Sequence, residues 1–309
     1  MARIATLTLN PAIDGASTTS LVSHTRKLRT AGQRFDPGGG GINVARVLTR
    51  LGADVEALYL TGGITGPVLT GLIERAGLAH HPIPISGDTR ISLAVFEQDT
   101  GHEYRFVPEG PELSEAECAS CLSAVGARAC DWLVLSGSLP RGMADDFYAR
   151  LIAQAKARGI AVVLDTSGPA LKIGLAEGGV RFVKPSLSEL EGVVGHPLSD
   201  HAAIVLAARE IVAKGGVHSV AVTLGSKGAV LVEKDRELTL PAIEVQAKSA
   251  TGAGDSFVAA MTFGLAAGWD SERAFRYGLA GGAAAAMTPG TDLAHAADIE
   301  RLAAQAGAG

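Results

Sequence analysis

The sequence predicts an α/β fold: a mainly parallel central sheet covered by helices on both faces, with a small inserted β-sheet as a lid. Two observations predict the core. Strand-like runs alternate with helical ones along most of the 309 residues. The strand runs are continuously apolar rather than alternating, as in strands buried on both faces. A third observation predicts the insert. Residues 12–36 are polar and carry no strong helix signal, and "ISLAVFEQDTGHEYRFV" (91–107) holds two β-rich runs around a turn at Asp99-Thr100-Gly101.

In chain order, "IATLTL" (4–9) reads as a strand and "INVARVLTRLG" (42–52) as a helix stopping at glycine. "DVEALYL" (54–60) is a strand, and "GPVLTGLIERAG" (66–77) is a helix. Helix 114–129, strand 131–138, helix 144–158 and strand 161–167 continue the rhythm, followed by strand 180–185, helix 201–214 and strand 217–225. The last third is helical, over 253–267, 271–287 and 295–305. The core is therefore expected in 1–10, 37–89 and 109–309, and the lid in 11–36 and 90–108. An antiparallel lid at the carboxyl edge of the core strands would cover a ligand crevice there.

The net charge of −5, without a basic tract, argues against nucleic acid as the main partner. The longest membrane-like stretch, "GLAGGAAAAM" (278–287), is far short of about 20 apolar residues, so no membrane role is expected. "MARIATLTLN" enters a strand at once without a signal-peptide pattern, and a cytoplasmic protein is expected. Cys118 and Cys121 form a C-x-x-C without a second one, inside a helical pattern. With Cys130 they read as ordinary residues in a reducing compartment.

Four stretches carry chemistry. In "SATGAGDSFVAAMTFGLAAG" (249–268), Gly252 and Gly254 flank Ala253 directly before an apolar helix. Glycines admit a ligand to the backbone, and a helix N-terminus offers free N–H groups and a positive dipole end. Asp255 in the first turn is either a helix cap or a carboxylate placed to take a proton beside an anion. "AVTLGSKGAVLV" (221–232) is a strand, a glycine turn carrying Lys227, and a second strand. It is either an ordinary hairpin or a turn flanking a nucleotide. In "FVKPSLSEL" (182–190), Lys184 ends a strand and Glu189 falls in the next helix's first turn, which also suits a plain helix start. Finally, "FDPGGGGINVARVLTRLGADV" (35–55) has four consecutive glycines, more than a turn requires, with Asn43 just beyond. Close approach of a ligand is the favoured reading.

Taken together, "PGGGGINVARVLTRLG" and "TGAGDSF" resemble the two signatures of the ribokinase-like PfkB family of sugar kinases, in the right order and nearly end to end. "TLTLNPAID", "EYRFVPEG", "VLSGSLPRG" and "LDTSGPAL" look most like its ketohexose-phosphate kinases. The resemblance implies a ribokinase-like fold and ATP-dependent phosphorylation of fructose 6-phosphate, with tagatose 6-phosphate and fructose 1-phosphate as alternatives. Relatives using fructose 1-phosphate usually carry lysine inside the glycine run, which this chain lacks.

It also implies residue roles. Asp255 is the general base, and Gly252, Ala253 and Gly254 form the anion hole. Asp14, Gly38, Gly39, Gly40, Asn43 and Ser138 bind the sugar, and Arg90, Arg105, Lys27 and Arg29 its phosphate. ATP lies across Lys184, Ser186, Glu189, Thr223, Gly225, Lys227, Gly228 and Ser249. Mg²⁺ is held mostly by phosphates and water, with Glu189 reaching it through water. Lys27 and Arg29 can reach a neighbouring subunit's site in relatives, so a homodimer is expected. Three positions depart from the pattern. Ser186 stands where the family carries Asn, which leaves its contact to a metal-bound water open; Ala250 stands where Thr is common; and Thr288 stands where close relatives carry Asn, which leaves potassium activation open. A non-catalytic sugar-phosphate sensor is the alternative from another class, opposed by Asp255 and the glycine hole. A free-sugar or nucleoside kinase would need neutral groups at positions 90 and 105.

Overall fold

The computed structural model describes residues 2–307; Met1, Ala308 and Gly309, at the ends of the expected core, lie outside the described residues. The chain begins with β1 (Ile4–Thr8), β2 (Ala12–Thr19), β3 (Ala31–Gly38), α1 (Gly40–Arg50), β4 (Val55–Gly62), α2 (Gly66–Arg75) and β5 (Ala79–Ile85). There follow β6 (Arg90–Glu97), β7 (Glu103–Phe106), α3 (Glu115–Gly126), β8 (Trp132–Ser136), α4 (Phe147–Ala157), β9 (Ala161–Asp165) and α5 (Gly168–Glu177). Next come β10 (Val180–Val183), α6 (Leu187–Val194), α7 (His201–Ala213), β11 (Val217–Thr223), β12 (Ala229–Glu233) and β13 (Arg236–Leu240). Three helices close the chain: α8 (Ala253–Ala266), α9 (Ser271–Ala286) and α10 (Ala296–Gln305).

Nine strands form one sheet in the order β13-β12-β11-β10-β9-β8-β1-β4-β5, parallel except for the β11–β12–β13 end. Successive residues of one strand enter opposite cores, as a period of two requires. Leu133 and Leu135 of β8 belong to the core shared with α3–α7, whereas Val134 belongs to the one shared with α1 and α8–α10. Both faces are thus covered, and truncating a fully buried leucine such as Leu135 costs about 2–5 kcal/mol. Among the described residues no helix is long and apolar enough to cross a membrane.

Three elements carry weak sequence signals. Strand β5, "AHHPIPI", holds Pro82 and Pro84, and proline is tolerated at a sheet edge, where β5 lies. Strand β13 is the opposite edge, with a half-polar pattern. Helix α5 opens on Gly168-Pro169 and has weak amphipathicity.

The second sheet, β3-β2-β6-β7, differs from the expected antiparallel insert: β2 and β6 pair in parallel, Asp14 opposite Ser92. Parallel neighbours need a long crossover. The α1–β4–α2–β5 segment provides it, because both strands leave the core at the same edge. The parallel core strands all end at that edge, which places Thr8, Ser136, Asp165, Lys184 and Thr223 along one rim beneath the small sheet.

Candidate active site

Helix α8 starts from Gly252, whose φ of +72° is left-handed and whose Cβ position would lie 2.3 Å from the Leu293 side chain. No side chain caps this end; Ala253 N makes a long bond to Ala250 O at 3.4 Å, and the other free N–H groups of the first turn and the positive dipole end remain open to an anion. Lys184 lies beside it. Its Nζ lies 3.4 Å from the Cβ position of Gly254, an ordinary contact distance. The lysine is buried, with Nζ 3.2 Å from Asp165 Oδ1. Burial alone would pull its pKa down, but the charges of Asp165 and Glu189 outweigh that and hold the ammonium above its ordinary range. Asp165 also accepts from Ser136 Oγ at 3.3 Å.

Asp255 stands in the first turn of α8. Asn43 Nδ2, from the first turn of α1, donates to its Oδ2 at 2.9 Å. Burial, then the charge of Asp165, push the Asp255 pKa up to about 6, with the Asn43 hydrogen bond acting against them. A carboxyl group titrating there can accept a proton near neutral pH.

The glycine run is crowded chiefly by the protein's own atoms. A Cβ at Gly38 would fall 1.9 Å from Asp14 Oδ2, and one at Gly40 2.3 Å from Ser136 Oγ. Gly41's would sit 2.5 Å from the Leu7 carbonyl, and Gly39 combines a φ of +108° with a 2.6 Å approach to Thr8. The run lets β3 pass into α1 against the ends of β1 and β8 while Asp14 folds over it. Burial pushes the Asp14 pKa up to about 6, against the pull of Arg105, Arg90 and Arg46.

Arg90 is pinned rather than free. Its Nη2 donates to Asn10 O at 2.7 Å, Nη1 to Pro108 O at 2.8 Å and Nε to Pro11 O at 3.4 Å. Three of its five N–H groups tie together the two chain crossings between core and lid. Arg105 is exposed and lines the crevice that also holds Asp14, Ser92 and Thr251. Ser138, exposed, lies 3.5 Å from Asn10 Nδ2. Lys27 and Arg29 are not brought to this crevice; they lie exposed on the loop between β2 and β3.

The remaining candidates gather at the ends of β10 and β11. Thr223 N donates to Pro185 O at 2.9 Å, aligning Lys184–Ser186 with the 3₁₀ turn Gly225–Lys227. Gly228, with φ +99°, closes that turn, and Leu224 N donates to its carbonyl at 2.8 Å. Ser186 and Glu189 form a capping box for α6: Glu189 Oε2 accepts from Ser186 N at 2.7 Å, and Ser186 Oγ from Glu189 N at 3.3 Å. The plain helix-start reading is therefore realised here, with Glu189 Oε1 left over. Ser249 Oγ accepts from Thr251 N at 3.1 Å in the loop before the anion hole.

Sequence reasoning missed Asp165, Ser136 and Arg46. Asp165 and Ser136 end strands at the functional rim, a signal that strand-end polarity in "VVLDTS" and "VLSGS" carries. Arg46 is a cation in the buried middle of α1. It donates to Asn43 Oδ1 at 3.3 Å and Pro37 O at 3.2 Å, and meets Asp36 Oδ1 at 3.4 Å.

An open helix N-terminus with a charged lysine beside it and a carboxyl group titrating near neutrality is what phosphoryl transfer requires of a protein. Comparison with known families agrees: residues 8–297 match the model of the pfkB family carbohydrate kinases, and the chain belongs to that family of sugar phosphotransferases. It is 41% identical over 302 residues to the ATP-dependent 6-phosphofructokinase isozyme 2 of Mycobacterium tuberculosis, covering 97% of this chain and 88% of the relative. It is 37% identical over 265 residues to the 1-phosphofructokinase of Xanthomonas campestris, covering 84% of this chain and 83% of the relative. Its fold is that of phosphofructokinase-2 from Escherichia coli. The complex of that protein with fructose-6-phosphate superposes with a TM-score of 0.94 at 36% identity, covering 99% of this chain and 100% of the other. The same relative has been solved with potassium, at a TM-score of 0.95 and 37% identity, and as a tetrameric inhibited form, at 0.93 and 36%, each with the same coverage.

Proposed function

We propose that this kinase transfers the γ-phosphoryl group of ATP to the 1-hydroxyl of fructose 6-phosphate, giving fructose 1,6-bisphosphate and ADP. The observation that carries the reading is the position of Asp255, in the first turn at the open N-terminus of α8 and hydrogen-bonded to Asn43 at 2.9 Å. Asp255 takes the hydroxyl proton as the sugar oxygen bonds to the γ-phosphorus and the bond to the ADP oxygen breaks. Gly252, Ala253 and Gly254 present N–H groups to the charge in flight, and Lys184 adds a fixed cation. Asp14, Asn43, Ser138 and the main chain of Gly38–Gly40 orient the sugar. Arg105 and the two spare N–H groups of Arg90 take the 6-phosphate, for which guanidinium suits better than ammonium.

The nucleotide lies over Thr223, Gly225, Lys227, Gly228, Ser186 and Ser249. Glu189 Oε1 and the Ser186 hydroxyl fit a magnesium ion held through water, since hard oxygen donors suit it and neither need enter its inner shell. When bound, that ion would neutralise phosphate charge. Potassium in the E. coli relative supports activation by potassium here, checked by comparing kcat in potassium and sodium salts. The three free cysteines suit a cytoplasmic setting.

The deciding experiment is a panel of kcat/KM values for fructose 6-phosphate, tagatose 6-phosphate and fructose 1-phosphate. The proposal expects fructose 6-phosphate to lead, and fails if fructose 1-phosphate does.

A further inference from the structure

A cavity of about 320 Å³ opens behind the glycine run, between the end of β3, α1 and α2, away from the nucleotide rim. It is walled by Phe35, Pro37 and Leu72 and carries Arg46, Arg50 and Arg75 against one carboxylate, Asp36. Counting the ionic partners Arg34 and Asp292, four guanidinium groups face two carboxylates. Arg75 has no carboxylate within 4 Å among the described residues and only donates to Phe35 O at 3.3 Å. Water takes about 30 Å³ per molecule, so the space exceeds one phosphate and admits a short carbon chain against the apolar wall.

We propose that this cavity binds a small phosphate monoester through Arg46, Arg50 and Arg75, and that its occupation slows the enzyme. Guanidinium groups from two helices can grip one phosphate from two sides. The link to the active site is a chain of hydrogen bonds. Arg46 Nη1 holds Asn43 Oδ1 at 3.3 Å, and Asn43 Nδ2 holds Asp255 at 2.9 Å. Arg46 also pins β3 through Pro37 O and Asp36, whose other oxygen accepts from Thr291 Oγ1 at 2.5 Å. An anion that draws Arg46 outward removes the group that fixes the Asn43 amide. Binding goes beyond the proposed reaction; the slowing rests on the roles given to Asn43 and Asp255, so the two are measured separately.

Phosphoglycolate and inorganic phosphate serve as probes, titrated calorimetrically against wild type, Arg75→Glu, Arg75→Gln and Arg105→Ala. Arg75 is exposed at the end of α2, and circular dichroism checks that its variants fold. The proposal expects saturable phosphoglycolate binding that either Arg75 substitution weakens at least about tenfold, as loss of a charge-assisted contact implies. Arg105→Ala should leave that binding intact. Phosphoglycolate binding more tightly than inorganic phosphate supports a monoester over the free ion; the reverse order overturns that choice. Absence of binding at millimolar probe overturns the site, as does binding lost in Arg105→Ala and unchanged in the Arg75 variants. In turnover assays, phosphoglycolate should lower kcat of wild type without competing with the sugar phosphate. Arg75→Gln should keep its basal kcat and escape inhibition. Purely competitive inhibition, or none despite binding, overturns the coupling.

Discussion

Asp255 is a costly residue for the fold, and the cost follows from its proposed use. A carboxyl group whose pKa rises from 3.8 unfolded to about 6 folded makes no difference below pH 3.8, where both states are protonated. As pH rises from there to about 6 the unfolded state ionises first, stability falls, and above 6 the deficit is constant. Two units at about 1.4 kcal/mol each, reduced for the group's remaining exposure, give a deficit of order 1–3 kcal/mol. Asp255→Asn is therefore expected to stabilise the fold by that order at pH 7.5 and by nearly nothing at pH 3.5, read from urea denaturation. The same variant should lose at least about 10²-fold in kcat, the low end for a general base, with ATP binding retained. Near-normal kcat in the folded variant removes Asp255 from the base role. In wild type, Asp14 titrates beside Asp255, each near pH 6. The acid limb of kcat/KM should therefore fall more steeply than one proton allows and relax toward one in Asp14→Asn. A single-proton limb in wild type would leave one of the two without a charged role.

At the scale of elements, the glycine run shows how far the sequence could be read. That four glycines mean crowding is legible in "GGGG"; that Asp14, Ser136, Thr8 and Leu7 do much of the crowding is not, because those contacts come from strands far away in sequence. Gly38→Ala and Gly40→Ala are expected to destabilise by about 1–3 kcal/mol, with Gly38→Ala also raising KM for the sugar because it displaces the Asp14 carboxylate. Gly71→Ala, inside α2 with open space at its Cβ position, should instead gain about 0.5–1 kcal/mol. Chemical denaturation of the three variants separates crowding from a general dislike of change. The motif helices and buried strands were legible because periodicity and caps are local. The parallel β2–β6 pairing was not, because only the crossover decides it. Nor was the clamp at Arg90, since backbone carbonyls leave no trace in a sequence. That clamp changes what Arg90→Ala should do. Besides raising KM for sugar phosphate more than KM for ATP, it should loosen residues 10–11 and 108, seen as faster exchange of the amides beside these prolines, at Asn10, Ala12 and Glu109. Arg90→Lys should rescue little, since one ammonium cannot span three carbonyls.

For the whole molecule, the small sheet offers the face on which an assembly can be tested. Its period of two sorts the residues onto opposite faces. Asp14 and Ser92 lie opposite one another on the crevice side, which Arg105 also lines. Phe35, Gly15, Leu93 and Phe106 form one row across the four strands on the other side. Phe35 is 38% exposed, Leu93 43% and Phe106 59%, with Ile91 at 41% extending the patch. An apolar row on the outer face of a single-sheet lid calls for a partner surface. A second copy would supply an identical one about a two-fold axis, which is the homodimer expected from the sequence. A tetramer would need a further interface elsewhere and is compatible with this one. Leu93→Asp places a charge in the middle of the row and should convert the pair to monomers in sedimentation velocity, while the nine-stranded core keeps its melting behaviour. Because the lid face opposite carries Asp14, the monomer should also show a higher KM for sugar phosphate than for ATP, relative to wild type. Two outcomes would place the interface elsewhere: a wild-type protein that sediments as an active monomer at assay concentration, or a Leu93→Asp variant that stays paired.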